Sequence, residues 1–312
     1  MPSITTTQAA YLSVPDVAPS YVLDKRPTDQ LFEVLPFKPI AGHELRLSAV
    51  DASSGGLSAL ADAEAAGAAI DSTMPAITER LFSLKRISAE MPVASVIPGI
   101  YGTHRDIVQA LLQLKVNAVR DHFKQLVIQG DSSVASEEFD GLKKLASSYS
   151  QQFGANNSAA NGDTVQKGEI EELLNLLNPR PRTNNVYLVM HSKAYKHLVK
   201  NNYADVEFVQ HALLGTVPVI AGAPVLVDNF IPITETQGTS NDCTSIYGVV
   251  LGDEVGLCGI YPASAVGQPI QVRGPVVKEA TDTMWFHVSW DVGLACYGKG
   301  AVGRLYGVKQ AN

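Results

Sequence analysis

The chain has 312 residues, which at about 150 residues per domain is room for roughly two domains, and its core can be large enough to need no disulfide or metal staple. It carries 24 Lys+Arg against 31 Asp+Glu, a net charge of −7, with 46% hydrophobic and 18% charged residues. That composition excludes a disordered chain, and the acidic balance excludes a protein whose main task is gripping nucleic-acid phosphates.

Residues 1–30 hold Pro2, Pro15, Pro19 and Pro27 among Thr, Ser and Gln. They predict an extended arm that orders only against something else. Leu45, Leu47 and Ala49 then alternate with Glu44, Arg46 and Ser48, the period of a strand. A second alternating stretch covers Ile77–Met91, with Phe82 and Leu84, then Ile87, Ala89 and Met91. The slip between the two patches predicts a bulge. Between the arms, residues 51–76 are rich in Ala, Gly and Ser and lack Lys, Arg, His and aromatics. Two arms with such a tip read as a long hairpin, and an isolated two-stranded ribbon is marginal in water. Leu45, Leu47, Phe82 and Leu84 have no evident partner within the chain, so a neighbouring subunit is the expected cover.

Pro98-Gly99 precedes the clearest helix, which Thr103 is expected to cap. Leu112, Val116, Val119, Phe123 and Leu126 form its apolar stripe, Lys124 is placed on the polar side, and Gly130 ends it. Phe139, Leu142 and Leu145 follow as a brief amphipathic helix with Gly141 inside, where close backbone packing is the expected reason for a glycine. A helix capped by Asp163 or Thr164 and carrying Ile170, Leu173 and Leu177 comes next. Val186–Met190 is a short buried strand, and Ser192 is expected to cap the helix after it. Two strand-like runs flank Ala221–Pro224. Tyr247–Leu251 and Val255–Tyr261 suggest a hairpin across Gly252–Glu254. Phe286, Val288, Trp290, Val292, Leu294 and Cys296 line one face of the cleanest strand. Strands and helices mix without βα alternation, so the class is α+β.

Chemistry is hard to find. Gly298–Gly303 (GKGAVG) matches the spacing of a dinucleotide loop, but only nine residues follow it, too few for the helix, strand and acidic residue such a site needs. A tight connection after the last strand is the reading preferred. There is no phosphate loop, no nucleophile elbow and no His/Cys cluster with metal-ligand spacing. No catalytic residue, cofactor or metal is expected. The three cysteines, Cys243, Cys258 and Cys296, include no CxxC pair and read as buried reduced thiols. No apolar run approaches a membrane span, and the first residues lack the features of a secretory leader.

The order of parts resembles the major capsid proteins of tailed bacteriophages, with their HK97-like fold. The resemblance rests on Phe139–Leu142 (FDGL) after the long helix, on Gly222–Pro232 (GAPVLVDNFIP), and on Trp290–Val308. It implies an N-arm over 1–30 and an E-loop hairpin at about 42–80. It also implies a P-domain over 31–139 with its spine helix at about 103–129, a mixed A-domain over 140–265, and a return to the P-domain over 266–312. The implied function is self-assembly into hexamers and pentamers of an icosahedral head enclosing double-stranded DNA. Scaffolding, portal and decoration proteins are the implied partners, with packaged DNA touched only weakly, no membrane, and a virion assembled in a bacterial cytoplasm. With only some thirty residues before the first structured stretch, either maturation has removed a scaffolding segment or a separate scaffolding protein does that job, and the starting Met1 favours the latter. Residues 42–84 contain no Lys, which argues against an isopeptide crosslink from the hairpin. An encapsulin-type nanocompartment is the alternative, and a soluble enzyme the third reading.

Overall fold

A computed structural model describes residues 29–50, 77–95, 107–177, 185–201, 206–211, 214–265, 269–277 and 282–309. The expected N-arm before Asp29, the hairpin tip at 51–76 and Thr103 lie outside these residues.

The backbone of the first sheet is β14 (Thr283–Cys296), whose even-numbered residues from Phe286 to Cys296 are buried as the sequence predicts, while the odd-numbered Ser289, Gly293 and Ala295 are buried as well. Along one edge it pairs antiparallel with β4 (Lys85–Ala94), from Thr283↔Ala94 to Val292↔Lys85. It also pairs antiparallel with β13 (Ile270–Val277) and, over Gly293–Cys296, with β12 (Leu257–Pro262), and β1 (Phe37–Ile40) lies parallel to β12.

The long helix, Ile107–Gln129, is 23 residues, or about 35 Å. Val119, Phe123 and Leu126 are buried, while Leu112 and Val116 are half-buried against the core. Phe123 meets the Trp290 ring at 4.7 Å between centroids and that of Phe139 at 5.6 Å. Phe32 and Phe37 reach the same ring from the N-terminal side, each at 6.0 Å. Lys124 is not on a solvated face: its side chain is 8% exposed and its ammonium lies 3.1 Å from Asp29.

The helix ends where a second chain segment crosses it. Gly141 N–H donates to Gly130 O at 2.9 Å, and a Cβ on Gly141 would stand 2.5 Å from Leu126 O. That is the close packing expected of Gly141, but the residue precedes the helix Leu142–Ser148 as its N-cap rather than lying inside it. Phe139 and Leu142 are buried on either side.

The second sheet has eight strands, built around β11 (Ser240–Val250). β11 pairs with β6 (Val186–Met190), β10 (Glu235–Gln237) and β15 (Val302–Lys309), and β15 with β5 (Gln152–Gly154). β9 (Ala223–Val227), β8 (Gly215–Ile220) and β7 (Val206–His211) complete it. Tyr187, Val189, Tyr247 and Val249 face the core shared with the long helix; Leu188, Met190, Ile246 and Leu305 face a separate cluster with Ile170 and Leu173. Two apolar faces make its central strands near-continuous hydrophobic runs. Arg304 closes one end with both guanidinium contacts to Glu235 at 3.1 Å.

Several expectations change. Tyr247–Leu251 and Val255–Tyr261 do not form a hairpin: β11 and β12 belong to different sheets, joined only by a bridge at Leu251↔Leu257. The boundary drawn at 265 therefore does not follow the sheets. β12 belongs with β14, and β15, assigned to the P-domain return, belongs with β11. Gly298–Ala301 is a connection, as read, but Val302 and Gly303 already belong to β15, so β14 is not the last strand. The slip at Leu84 is a switch between sheets rather than a bulge, because the strand before it pairs with 44–50 and the strand after it pairs with β14. Gln166, not Asp163 or Thr164, caps the helix Lys167–Leu176, through a capping box with Glu169. Ser192 opens its helix, whose Lys193 N–H donates to His191 Nδ1 at 3.0 Å.

Phe123→Ala is expected to cost about 3–5 kcal/mol, since the ring is fully buried and its neighbours cannot collapse into the space. Gln125→Ala, exposed on the same helix, should stay within about 0.5 kcal/mol. Urea unfolding of the two variants checks the difference.

Candidate assembly surface

The hairpin is built from β2 (Glu44–Val50) and β3 (Ile77–Ser83), in register from Glu44↔Ser83 to Val50↔Ile77. One face carries Leu45, Leu47, Phe82 and Arg80; the other carries Arg46, Leu81, Glu79 and Ile77. The inner face is anchored within the chain, contrary to expectation. Phe82 and Leu84 are buried in the main core, and Leu45 and Leu47 are half-buried against it. The chain at Ser83 passes so close to β14 that a Cβ on Gly293 would lie 2.8 Å from its carbonyl oxygen.

Arg80 fastens the same face. Its guanidinium stacks over Tyr149 at 4.8 Å from the ring centroid, and its Nη1 donates to Tyr297 O at 3.4 Å. Burial pushes the Tyr149 phenol up to about 12, so it stays neutral. A cation set among alternating Leu and Phe was the available signal for this clamp. Its partners, distant in sequence, gave none.

Past Arg80 the anchoring stops. Glu79, Thr78 and Ile77 are all exposed, and so is Leu81 on the outer face. Leu81 is 52% and Ile77 72% exposed. The outer charges pair only loosely, Arg46 with Glu79 at 3.6 Å and with Glu44 at 3.4 Å, contacts that contribute little in water. Two edge strands also present apolar side chains to solvent: Val272, Val276 and Val277 on β13, and Phe208 and Val209 on β7. Exposed large residues on edge strands are what an association surface offers.

A third contact lies where Asp29 enters the body. Asp29 bridges Asp228 in antiparallel pairing, and Val227 N–H donates to Gln30 Oε1 at 2.8 Å. The Asp29 side chain is 2% exposed and Asp228 is 1% exposed. Burial, and then the neighbouring Asp29, push the Asp228 carboxyl up to about 8.

The thiols are inert by placement. All three cysteines are buried and unpaired, and burial raises Cys258 to about 11 and Cys296 to about 12. Among the described residues no group of three or more His, Cys, Asp or Glu could hold a metal ion. No described helix is long and apolar enough to cross a membrane.

Solved structures sharing this arrangement over nearly their whole length include an encapsulin and several capsids. The SrpI encapsulin complex of Synechococcus elongatus superposes with a TM-score of 0.72 at 15% identity, over 98% of this chain and 96% of that one. The cyanophage A-1(L) capsid gives 0.68 at 12% identity, over 98% and 100%. The fold is the HK97-like capsid fold. The capsid of an empty GTA particle shares it too, with a TM-score of 0.67 at 17% identity over 97% and 98% of the two chains. No family profile and no curated protein matches the sequence.

Arg80→Ala should loosen the hairpin root without unfolding the body. Protection of the amides in 44–50 and 77–83 against hydrogen exchange is expected to fall about tenfold, the loss of ~1.4 kcal/mol. Protection around Phe123 should not change.

Proposed function

We propose that this chain is a structural shell subunit, not an enzyme, that assembles into hexamers and pentamers of an icosahedral phage-type head enclosing double-stranded DNA. The observation that carries the reading is the hairpin: anchored at its root by Phe82, Leu84 and Arg80, yet leaving Leu81 and Ile77 open to solvent. Burying a Leu or Ile side chain yields about 1.5–3 kcal/mol, and a neighbouring copy is the surface able to supply that cover. Many such weak contacts, repeated by symmetry, sum to a stable shell. A net charge of −7 suits a container that must hold DNA without binding it tightly. Scaffolding, portal and decoration proteins are the partners such a head would use.

The likeness to an encapsulin favours a second reading, a nanocompartment shell. Cargo separates the two. Particles purified after nuclease treatment should retain protected double-stranded DNA when made in a packaging host; particles holding protein and no nucleic acid would favour the nanocompartment.

In sedimentation, the wild-type chain is expected to form megadalton particles or capsomers, and Leu81→Glu with Ile77→Glu to remain small while melting as the wild type does. A wild-type chain that stays a small oligomer at high concentration would overturn the shell reading. Cohesion should be non-covalent, given the buried thiols and a hairpin free of lysine. Boiling assembled particles in denaturant without reductant should release single chains; a ladder of linked multimers would contradict this.

A further inference from the structure

Two carboxyl groups and one ammonium are sealed together where the N-terminal segment joins the body. Asp29 comes from the segment itself, Asp228 from the end of β9, and Lys124 from the long helix. Lys124 Nζ lies 3.1 Å from Asp29 Oδ2 and 3.7 Å from Asp121 Oδ1. The rings of Phe32 and Phe230 close over the ammonium at 5.1 and 5.8 Å. Each carboxyl also holds backbone: Phe32 N–H donates to Asp29 Oδ1 at 3.1 Å, and Phe230 N–H to Asp228 Oδ1 at 2.8 Å.

The other titratable groups nearby do not relieve the pair. Glu33 on the segment is exposed. Asp121 adds negative charge from the helix. His191, next to the Met190 carbonyl that accepts the Asp228 N–H, uses its Nδ1 on Lys193 N–H. The ammonium is engaged by Asp29 and Asp121, while Asp228 lies buried beside Asp29, an arrangement that favours a proton on Asp228.

We propose that Asp29, Asp228 and Lys124 form a proton-held latch, which fixes the root of the N-terminal segment to the long helix and to β9 while one carboxyl is protonated and loosens it as that proton becomes costly to keep. The sign follows from the raised Asp228 carboxyl. Below pH ~4 an open latch is protonated as well, so closure gains nothing from acid. Between pH ~4 and about 8 the closed latch keeps its proton and the open one releases it, so closure weakens about tenfold per pH unit. Above that range both forms are ionised and the slope vanishes. The latch belongs to the single chain and does not depend on what the shell encloses.

Native-state hydrogen exchange on the full-length, unassembled chain from pH 5 to 8 tests it, with each amide corrected for its intrinsic rate. Protection of the Gln30, Phe32 and Val227 amides should fall about tenfold per pH unit relative to that of Phe123. Asp228→Asn keeps a donor facing Asp29 and removes the titrating group, so its protection should be flat across the range. Asp29→Asn leaves Asp228 buried but removes the neighbouring charge, so its slope should end at a lower pH than in the wild type, which keeps the test decisive if Asp228→Asn folds poorly. A wild-type profile without a slope, a slope that survives in Asp228→Asn, or an Asp29→Asn profile identical to the wild type overturns the latch.

Discussion

Packing between Phe123 and Trp290 sets the position of nearly everything else. The two rings lie 4.7 Å apart at the centre of an aromatic cluster that Phe32, Phe37 and Phe139 complete from three other segments. The long helix is thereby fixed along β14, and β14 pairs with β4, β13 and β12. Gly259 belongs to the same constraint, since a Cβ there would stand 2.4 Å from the Phe37 ring. Rings supply large buried area with few rotatable bonds, so they define one geometry for segments far apart in sequence.

Rigidity in this centre makes sense of what surrounds it. The hairpin is continuous with β4 through Leu84, so its direction is inherited from the sheet. Its root shares the core, and Arg80 adds a clamp at Tyr149. Its outer part has neither core nor clamp, and a two-stranded ribbon of that kind gains stability only by lying on something else. A stiff body with an under-covered ribbon is what the proposed shell role requires. The N-terminal segment adds a tie of different physics: beside the buried Leu31 and Leu35 and the half-buried Phe32, charges are sealed in the protein at Asp29.

Much of this was legible in the sequence wherever periodicity alone decides. The face Phe286 to Cys296 and the stripe Leu112 to Leu126 each carry apolar residues at one regular spacing, so the sequence shows their element type even though the end of β14 is buried on both sides. The pair Leu45–Leu47 and Phe82–Leu84 gave the hairpin, but not its anchoring, because a partner supplied by the same chain looks identical to one supplied by a neighbour. Strand partners were harder. Tyr247–Leu251 and Val255–Tyr261 sit across a turn-like tripeptide, yet each is buried on both faces and chooses a different sheet, a choice that local spacing does not encode. Lys124 misled for a related reason: a lysine on a helix is normally solvated, and its partner Asp29 is nearly a hundred residues away. The acid pair Asp29–Asp228 left no sequence signal, since it exists only through a β-bridge.

Electron cryo-microscopy of the purified full-length protein is the most direct measurement. Closed shells are expected, with density for each hairpin lying across an adjacent subunit and covering Leu81 and Ile77. Discrete small particles in which the hairpin stays uncovered, or folds back on its own body, would contradict the account.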